Sequence, residues 1–194
     1  MADIVQTHAT VSSDAEELIL VDADDHVRGH ASKAACHDGH GDLHRAFSLF
    51  VFNRQGALLL QQRSPGKRLW PGFWANSCCS HPRRGESMAQ ATQRRLLQEM
   101  GMQCELRYLF KFQYQADYHG LGAEHELCSV YVGQTDAPVA ANRSEVAAWR
   151  FISPTELDAE IVAHPQHFTP WLHLEWERLR RDFNAELPSA ARTQ

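Results

Sequence analysis

The strongest constraint on how this chain folds is the order of its patterned segments. Short β-type runs and helical stretches interleave with no regular strand–helix–strand rhythm. Leu18–Val21 and Val27–Lys33 have strand character, with a turn at Asp22–Asp25. Phe47–Asn53 and Ala57–Arg63 flank an Asn53–Gly56 turn and predict a hairpin. Ser87, with Gln90 three residues on, is a capping box that opens a helix ending at Gly101. Tyr108–Tyr114, Glu126–Val132 and Ala147–Ile152 are further β-rich runs. A second capping box, Ser153-Pro154-Thr155-Glu156, starts a helix that Pro165 closes. A last helix opens at Thr169-Pro170 and carries Leu172, Trp176, Leu179 and Phe183 as an apolar stripe. This order predicts an α+β fold in one domain, a mixed β-sheet core flanked by helices. The domain is expected over residues 16–183, with residues 1–15 and 184–194 as loose polar tails.

Composition narrows the class. At 43% hydrophobic residues, the 194-residue chain can build one sizeable core. A net charge of −5 lacks the basic balance of a nucleic-acid-binding domain, so no nucleic-acid partner is expected. Five irregularly spaced cysteines do not form a disulfide framework and point to a reducing compartment. The N-terminal stretch has neither a basic nor an apolar targeting region. No apolar run reaches the ~18 residues a membrane span needs. A soluble, cytoplasmic protein without a membrane partner is the expectation, either as monomer or homodimer.

Four constellations could carry chemistry. His37 and His44, with His40 between them, lie in a Gly-containing stretch that taken alone reads as a surface loop. In Trp74–Pro82, an extended backbone points Cys79 and His81 to one side and Cys78 to the other. A cysteine beside a histidine or metal can have a lowered pKa and exchange protons. Glu124-His125-Glu126 enters an apolar strand, which places both carboxylates on one face. Two such acids repel unless a cation or shared proton intervenes; a salt-bridged surface pair is the alternative. Three imidazoles and two carboxylates suit Mn²⁺, Zn²⁺ or Mg²⁺ better than a closed structural zinc.

The fourth constellation is the Ser87 helix. From Ser80 to Gly101 it has the length of a Nudix box, and Glu86, Arg94, Glu99 and Gly101 fit that pattern. Ser80, Arg95 and Gln98 depart from it, and the acids lost would hold hydrolytic metals. At this point the chain resembles the type I isopentenyl-diphosphate Δ-isomerases, a branch of the Nudix superfamily with a box degraded in this way. The resemblance spans about Leu18 to Phe183. It rests on His37 and His44 before Ala46-Phe47-Ser48, on Arg63 and Lys67 ahead of Trp70-Pro71-Gly72, and on Asn76–Pro82. Tyr114, Glu124-His125-Glu126 and Thr169-Pro170-Trp171 complete it.

The resemblance implies a Nudix-like core and interconversion of isopentenyl and dimethylallyl diphosphate through a tertiary carbocation. It implies that His37, His44, His81, Glu124 and Glu126 hold one divalent ion, Mn²⁺, Mg²⁺ or Zn²⁺. Glu99 would hold a Mg²⁺ that arrives with the diphosphate, and Lys33, Arg63, Lys67 and Arg95 would contact that diphosphate. Glu126 with Tyr114 would protonate the substrate, Cys79 as thiolate would deprotonate it, and Trp171 would face the cation. The competing expectation is a Nudix hydrolase of a nucleoside diphosphate derivative.

Overall fold

The structure, a computed structural model, describes residues 9–188. Its strands are β1 (Glu17–Val21), β2 (Val27–Ser32), β3 (His44–Phe52), β4 (Leu58–Arg63), β5 (Trp74–Ala75), β6 (Cys78–Ser80), β7 (Leu106–Asp117), β8 (Ala123–Gln134) and β9 (Val146–Ile152). The α-helices are α1 (Lys33–Cys36), α2 (Met88–Met100), α3 (Pro154–Ala163) and α4 (Pro170–Asp182). The strands join into one mixed sheet, so the α+β expectation holds.

β3 is the spine of that sheet. It pairs in parallel with β8 along its whole length, from His44↔Glu126 to Phe52↔Gln134. Its other edge takes β6 antiparallel, with Ser48 opposite Cys79. Because side chains alternate along a strand, β3 feeds two cores. Phe47, Leu49 and Val51 pack with Ala91, Leu96 and Met100 of α2. Phe50 and Phe52 pack with Leu157 of α3 and Leu172, Trp176 and Leu179 of α4. His44, Ala46 and Ser48 continue the α4-facing row towards the start of the strand.

The helix signals behave as their chemistry dictates. Both capping boxes form: Ser87 with Gln90, and Ser153 with Glu156. Gly101 ends α2 at φ 68°, a left-handed conformation that glycine adopts without penalty. Two local expectations are corrected. The predicted hairpin about Asn53–Gly56 turns, but β3 and β4 share only the pair Phe52↔Leu58. β4 instead ladders along β9, since long-range pairs to β6, β8 and β9 satisfy more backbone than the local pairing. Lys33 leaves the second strand and opens α1, because the Ser32 hydroxyl caps that helix at Ala35 N–H.

The tails are better held than their polarity suggests. The Ala9 carbonyl accepts a hydrogen bond from Asn142 Nδ2 at 2.8 Å, and the Val11 carbonyl accepts one from Arg95 at 3.0 Å. Asn184–Glu186 form a 3₁₀ turn, and Leu187 is buried in the α4 core. Residues 1–8 and 189–194 of the predicted tails lie outside the described residues.

Candidate active site

Above the start of β3, on the α4-facing side, lies a cavity of about 260 Å³. Eleven of the residues expected to act line it: Lys33, His37, Arg63, Lys67, Cys79, His81, Arg95, Tyr114, Glu124, Glu126 and Trp171. His44 and Glu99, also expected, are buried beside it, Glu99 paired with Arg95 and His44 gathered with His37, His81, Glu124 and Glu126.

At one end, His37, His44, His81, Glu124 and Glu126 are all buried and bring one ligand atom each to within 4.8 Å of one another. His44 starts β3, directly opposite Glu126 of β8. His37 ends α1, and its carbonyl accepts the Ala123 N–H that starts β8. A side chain on Gly122 would meet that carbonyl at 2.4 Å, so glycine permits the approach of β8.

The imidazoles are oriented from behind. His37 Nδ1 donates to the Lys33 carbonyl and His44 Nδ1 to the Asp42 carbonyl, both at 2.7 Å. A carbonyl can only accept, so each ring carries its proton on Nδ1 and turns Nε2 towards the cluster. His44 Nε2 is buried without a hydrogen-bond partner. That orphaned lone pair, beside two carboxylates, fits a divalent cation, and the carbonyls behind the rings are the supports a ligating histidine uses.

Electrostatics without a cation are strained. Glu124 lies 2.9 Å from His37 Nε2; burial pushes its pKa up, but the imidazolium overrides this and holds it at about 2. Glu126 is pushed well up by burial and by Glu124, although Tyr114 donates to its Oε2 at 2.8 Å. Its Oε1 lies 2.9 Å from His81 Nε2. Burial, with His37 next to it, pulls His44 down to about 4, and burial with His44 pulls His81 well below the ordinary range. Both rings therefore stay neutral at neutral pH and keep their lone pairs.

At the other end is a charged clamp. Arg95 binds Glu99 and also lies 3.4 Å from Glu145, while Lys67 binds Glu145. Gln61 donates to the second Glu99 oxygen at 3.2 Å. The Lys33 ammonium is pushed down by burial and then by Lys67 and Arg95, and it donates to Ser12 at 2.5 Å. Arg94, by contrast, grips Glu86 at 2.6 Å and reaches the His81 carbonyl, so those two box residues hold the loop.

Burial pushes the Cys79 thiol up to about 12 against the opposing pull of Arg63. The Arg95–Glu99 pair is a buried element of the clamp. The sequence reading missed Glu145, Glu175 and Asn76. Asn76 accepts the Trp171 indole N–H at 3.1 Å and so fixes that ring against the cavity. Its place before Ser77 and Cys78, inside a segment already singled out, was the available signal.

A mixed sheet carrying a capped helix behind it, with a histidine–glutamate cluster and a charged clamp at one end, defines a Nudix-fold enzyme. The NUDIX domain family matches residues 42–172. Solved structures agree on the fold: DR0079 from Deinococcus radiodurans superposes with a TM-score of 0.63, covering 76% of this chain and 90% of that one at 24% identity. Similarity in sequence is more particular. The chain is 47% identical to the isopentenyl-diphosphate Delta-isomerase of Serratia proteamaculans over 80% of its length and 87% of the relative's. It is 45% identical to that of Burkholderia multivorans, covering 84% and 92%. It is 42% identical to isopentenyl-diphosphate Delta-isomerase 1 of Photorhabdus laumondii, covering 83% and 93%. The chain belongs to the isopentenyl-diphosphate Delta-isomerases of the NUDIX domain family.

Proposed function

We propose that the cavity interconverts isopentenyl and dimethylallyl diphosphate, with Cys79 and Glu126 as the proton-transfer pair. The observation that carries this reading is their placement: Cys79 and Glu126 line one cavity from β6 and β8, the strands on opposite edges of β3. Neighbouring strands lie ~4.8 Å apart, so the two strands are separated by roughly 10 Å, room for a flat five-carbon skeleton between them.

The substrate's alkene has no adjacent carbonyl. A proton added to its terminal carbon leaves a tertiary cation, and loss of a proton from the carbon beside the diphosphate forms the new double bond. Burial and Glu124 push the Glu126 carboxyl up, and Tyr114 orients it; together they deliver the proton in the forward direction. Cys79 takes up the second proton as a thiolate, its own thiol proton having passed to solvent before the step. Arg63, 3.9 Å from Sγ, is the charge that favours its thiolate, and the two groups exchange roles in the reverse reaction. Trp171 presents an aromatic face to the cation. Lys33, Lys67 and Arg95 bind the diphosphate. Arg63 also donates from Nε and Nη2 to the Leu69 and Trp70 carbonyls, so it holds the cavity loop as well.

A divalent ion, Mn²⁺, Mg²⁺ or Zn²⁺, held by His37, His44, His81, Glu124 and Glu126 would supply fixed positive charge that orders these carboxylates. Glu99 would hold a Mg²⁺ accompanying the diphosphate, where it would offset phosphate charge. All five cysteines are free, which supports a reducing, cytoplasmic location. Among the described residues no helix is long and apolar enough to cross a membrane. The protein acts as a monomer or homodimer.

Turnover in D₂O with Mg²⁺ tests the reading. The expected result is deuterium in a methyl group of dimethylallyl diphosphate, abolished in Glu126→Gln. Release of phosphate or pyrophosphate without carbon labelling would identify a hydrolase instead. Labelling that persists in Glu126→Gln would move the donor to Cys79.

A further inference from the structure

The stripe of α4 is apolar except at Glu175, which is fully buried on the same side as Trp171 and Leu179. Its Oε1 receives the Cys128 thiol at 3.4 Å, and its Oε2 has no hydrogen-bond partner. A buried carboxyl without a cation is costly, and a leucine here would extend the stripe without that penalty. The fold therefore gives no reason for the acid, and a buried titratable group next to a reactive cavity points to function.

Its surroundings show what that function would be. Glu175 lies one helical turn beyond Trp171, whose ring lines the cavity. Cys128 lies two residues beyond Glu126 on the same face of β8, and it packs in one cluster with Tyr114 and Trp171, with Cys79 against them. Cys128 also reaches the Ser48 hydroxyl at 3.6 Å, and Ser48 stands opposite Cys79 in the sheet. Glu175, Cys128 and Ser48 thus form a polar layer directly beneath the wall that encloses the substrate's carbons. The titratable groups facing it are Cys128 and Glu126 from β8, Tyr114 from β7 and Cys79 from β6, and each of them feels its charge.

We propose that Glu175 is a positioning residue for the cationic intermediate, placing negative charge one layer beneath Trp171 and Tyr114 to favour positive charge at the substrate's tertiary carbon. The proposal rests on the isomerase reading. Glu175 does not touch the substrate; it acts across the wall, where the low dielectric keeps its charge weakly screened. Burial pushes its pKa up to about 8, with Ser48 and Cys128 holding it back, so the charge is present in mildly alkaline solution.

The test compares two ligands on the intact protein and on Glu175→Gln and Glu175→Leu. One is a diphosphate ester with a tertiary ammonium where the cationic carbon forms; the other is dimethylallyl diphosphate, neutral at that position. At pH 9 both variants should bind the ammonium compound about tenfold more weakly and dimethylallyl diphosphate within about twofold of the wild type. Their kcat should fall by a similar factor with KM unchanged. At pH 6, where the carboxyl keeps its proton, Glu175→Gln should match the wild type for both ligands. Equal losses for the two ligands would assign Glu175 to cavity shape alone, and no loss for either would remove it from the reaction. Either outcome overturns the proposal. A wild type that binds dimethylallyl diphosphate yet does not isomerise it would instead overturn the isomerase reading.

Discussion

The two ends of the cavity are both polar and buried, yet they are finished to different degrees. In the clamp, Lys67, Arg95, Glu99 and Glu145 already neutralise one another. In the histidine–glutamate cluster, lone pairs converge and one of them, His44 Nε2, meets nothing. The clamp is a closed set of charges that a diphosphate must re-pair, whereas the cluster is an open set that a cation completes. A charge-balanced site contributes to the fold before any ligand arrives; an open one draws its stability from the ligand.

Breaking the clamp should therefore have the largest effect on the empty protein. Arg95→Leu leaves Glu99 and Glu145 buried without their shared partner, and such a loss typically costs about 3–5 kcal/mol. Chemical denaturation should show that drop without any metal or substrate. A change within about 0.5 kcal/mol would mean the two acids find other partners and the clamp is not closed.

Opening the cluster further should do less to the empty fold and more to its cation affinity. His44→Ala should weaken binding of one tight divalent ion by about a hundredfold or more, read from metal content after dialysis. The wild type at a metal concentration of 100 times Kd should gain about 2.7 kcal/mol of stability, and the variant should lose most of that gain. His40→Ala, whose ring is outside the cluster, should change neither quantity. Metal-independent stability in the wild type would erase the contrast between the two ends.

The sequence was most legible where the chemistry is local. The capping boxes at Ser87 and Ser153 need only residues three apart, and both helices start where those boxes place them. Alternation in Glu124-His125-Glu126 correctly separates the acids from His125, which bonds the Gly41 carbonyl instead. Gathering the five cluster residues needed the resemblance, because they come from α1, β3, β8 and the segment after β6. Register choices were illegible: nothing near Asn53 says that β4 prefers β9 to β3, since that preference comes from partners nearly a hundred residues away. Glu145 was hidden in a polar loop where an acid attracts no notice. Glu175 was hidden for the opposite reason, as one acid inside a strong apolar stripe.

Glu175 sharpens the comparison from a third side, as an acid with neither a clamp nor a cation. Its folded pKa is raised from 4.5 to about 8 by burial. Between those values the native protein binds more protons than the unfolded chain, so stability must fall as pH rises through that window. Below pH 4.5 both states are protonated and this group imposes no penalty. Above about pH 8 both are ionised and the full cost of the buried carboxylate is present. The expected loss between pH 5 and 8 is on the order of 2 kcal/mol, less than the full shift implies because the site relaxes around the charge. Glu175→Leu should remove this slope, leaving the variant as stable as the wild type at pH 5 and more stable at pH 8. Measuring denaturation midpoints of both proteins, metal-free, across that range isolates the effect, since the clamp and the cluster keep the same residues in the two. Parallel curves would show that Glu175 is ionised throughout, and that it has found in the native protein a partner as effective as Arg95 is for Glu99.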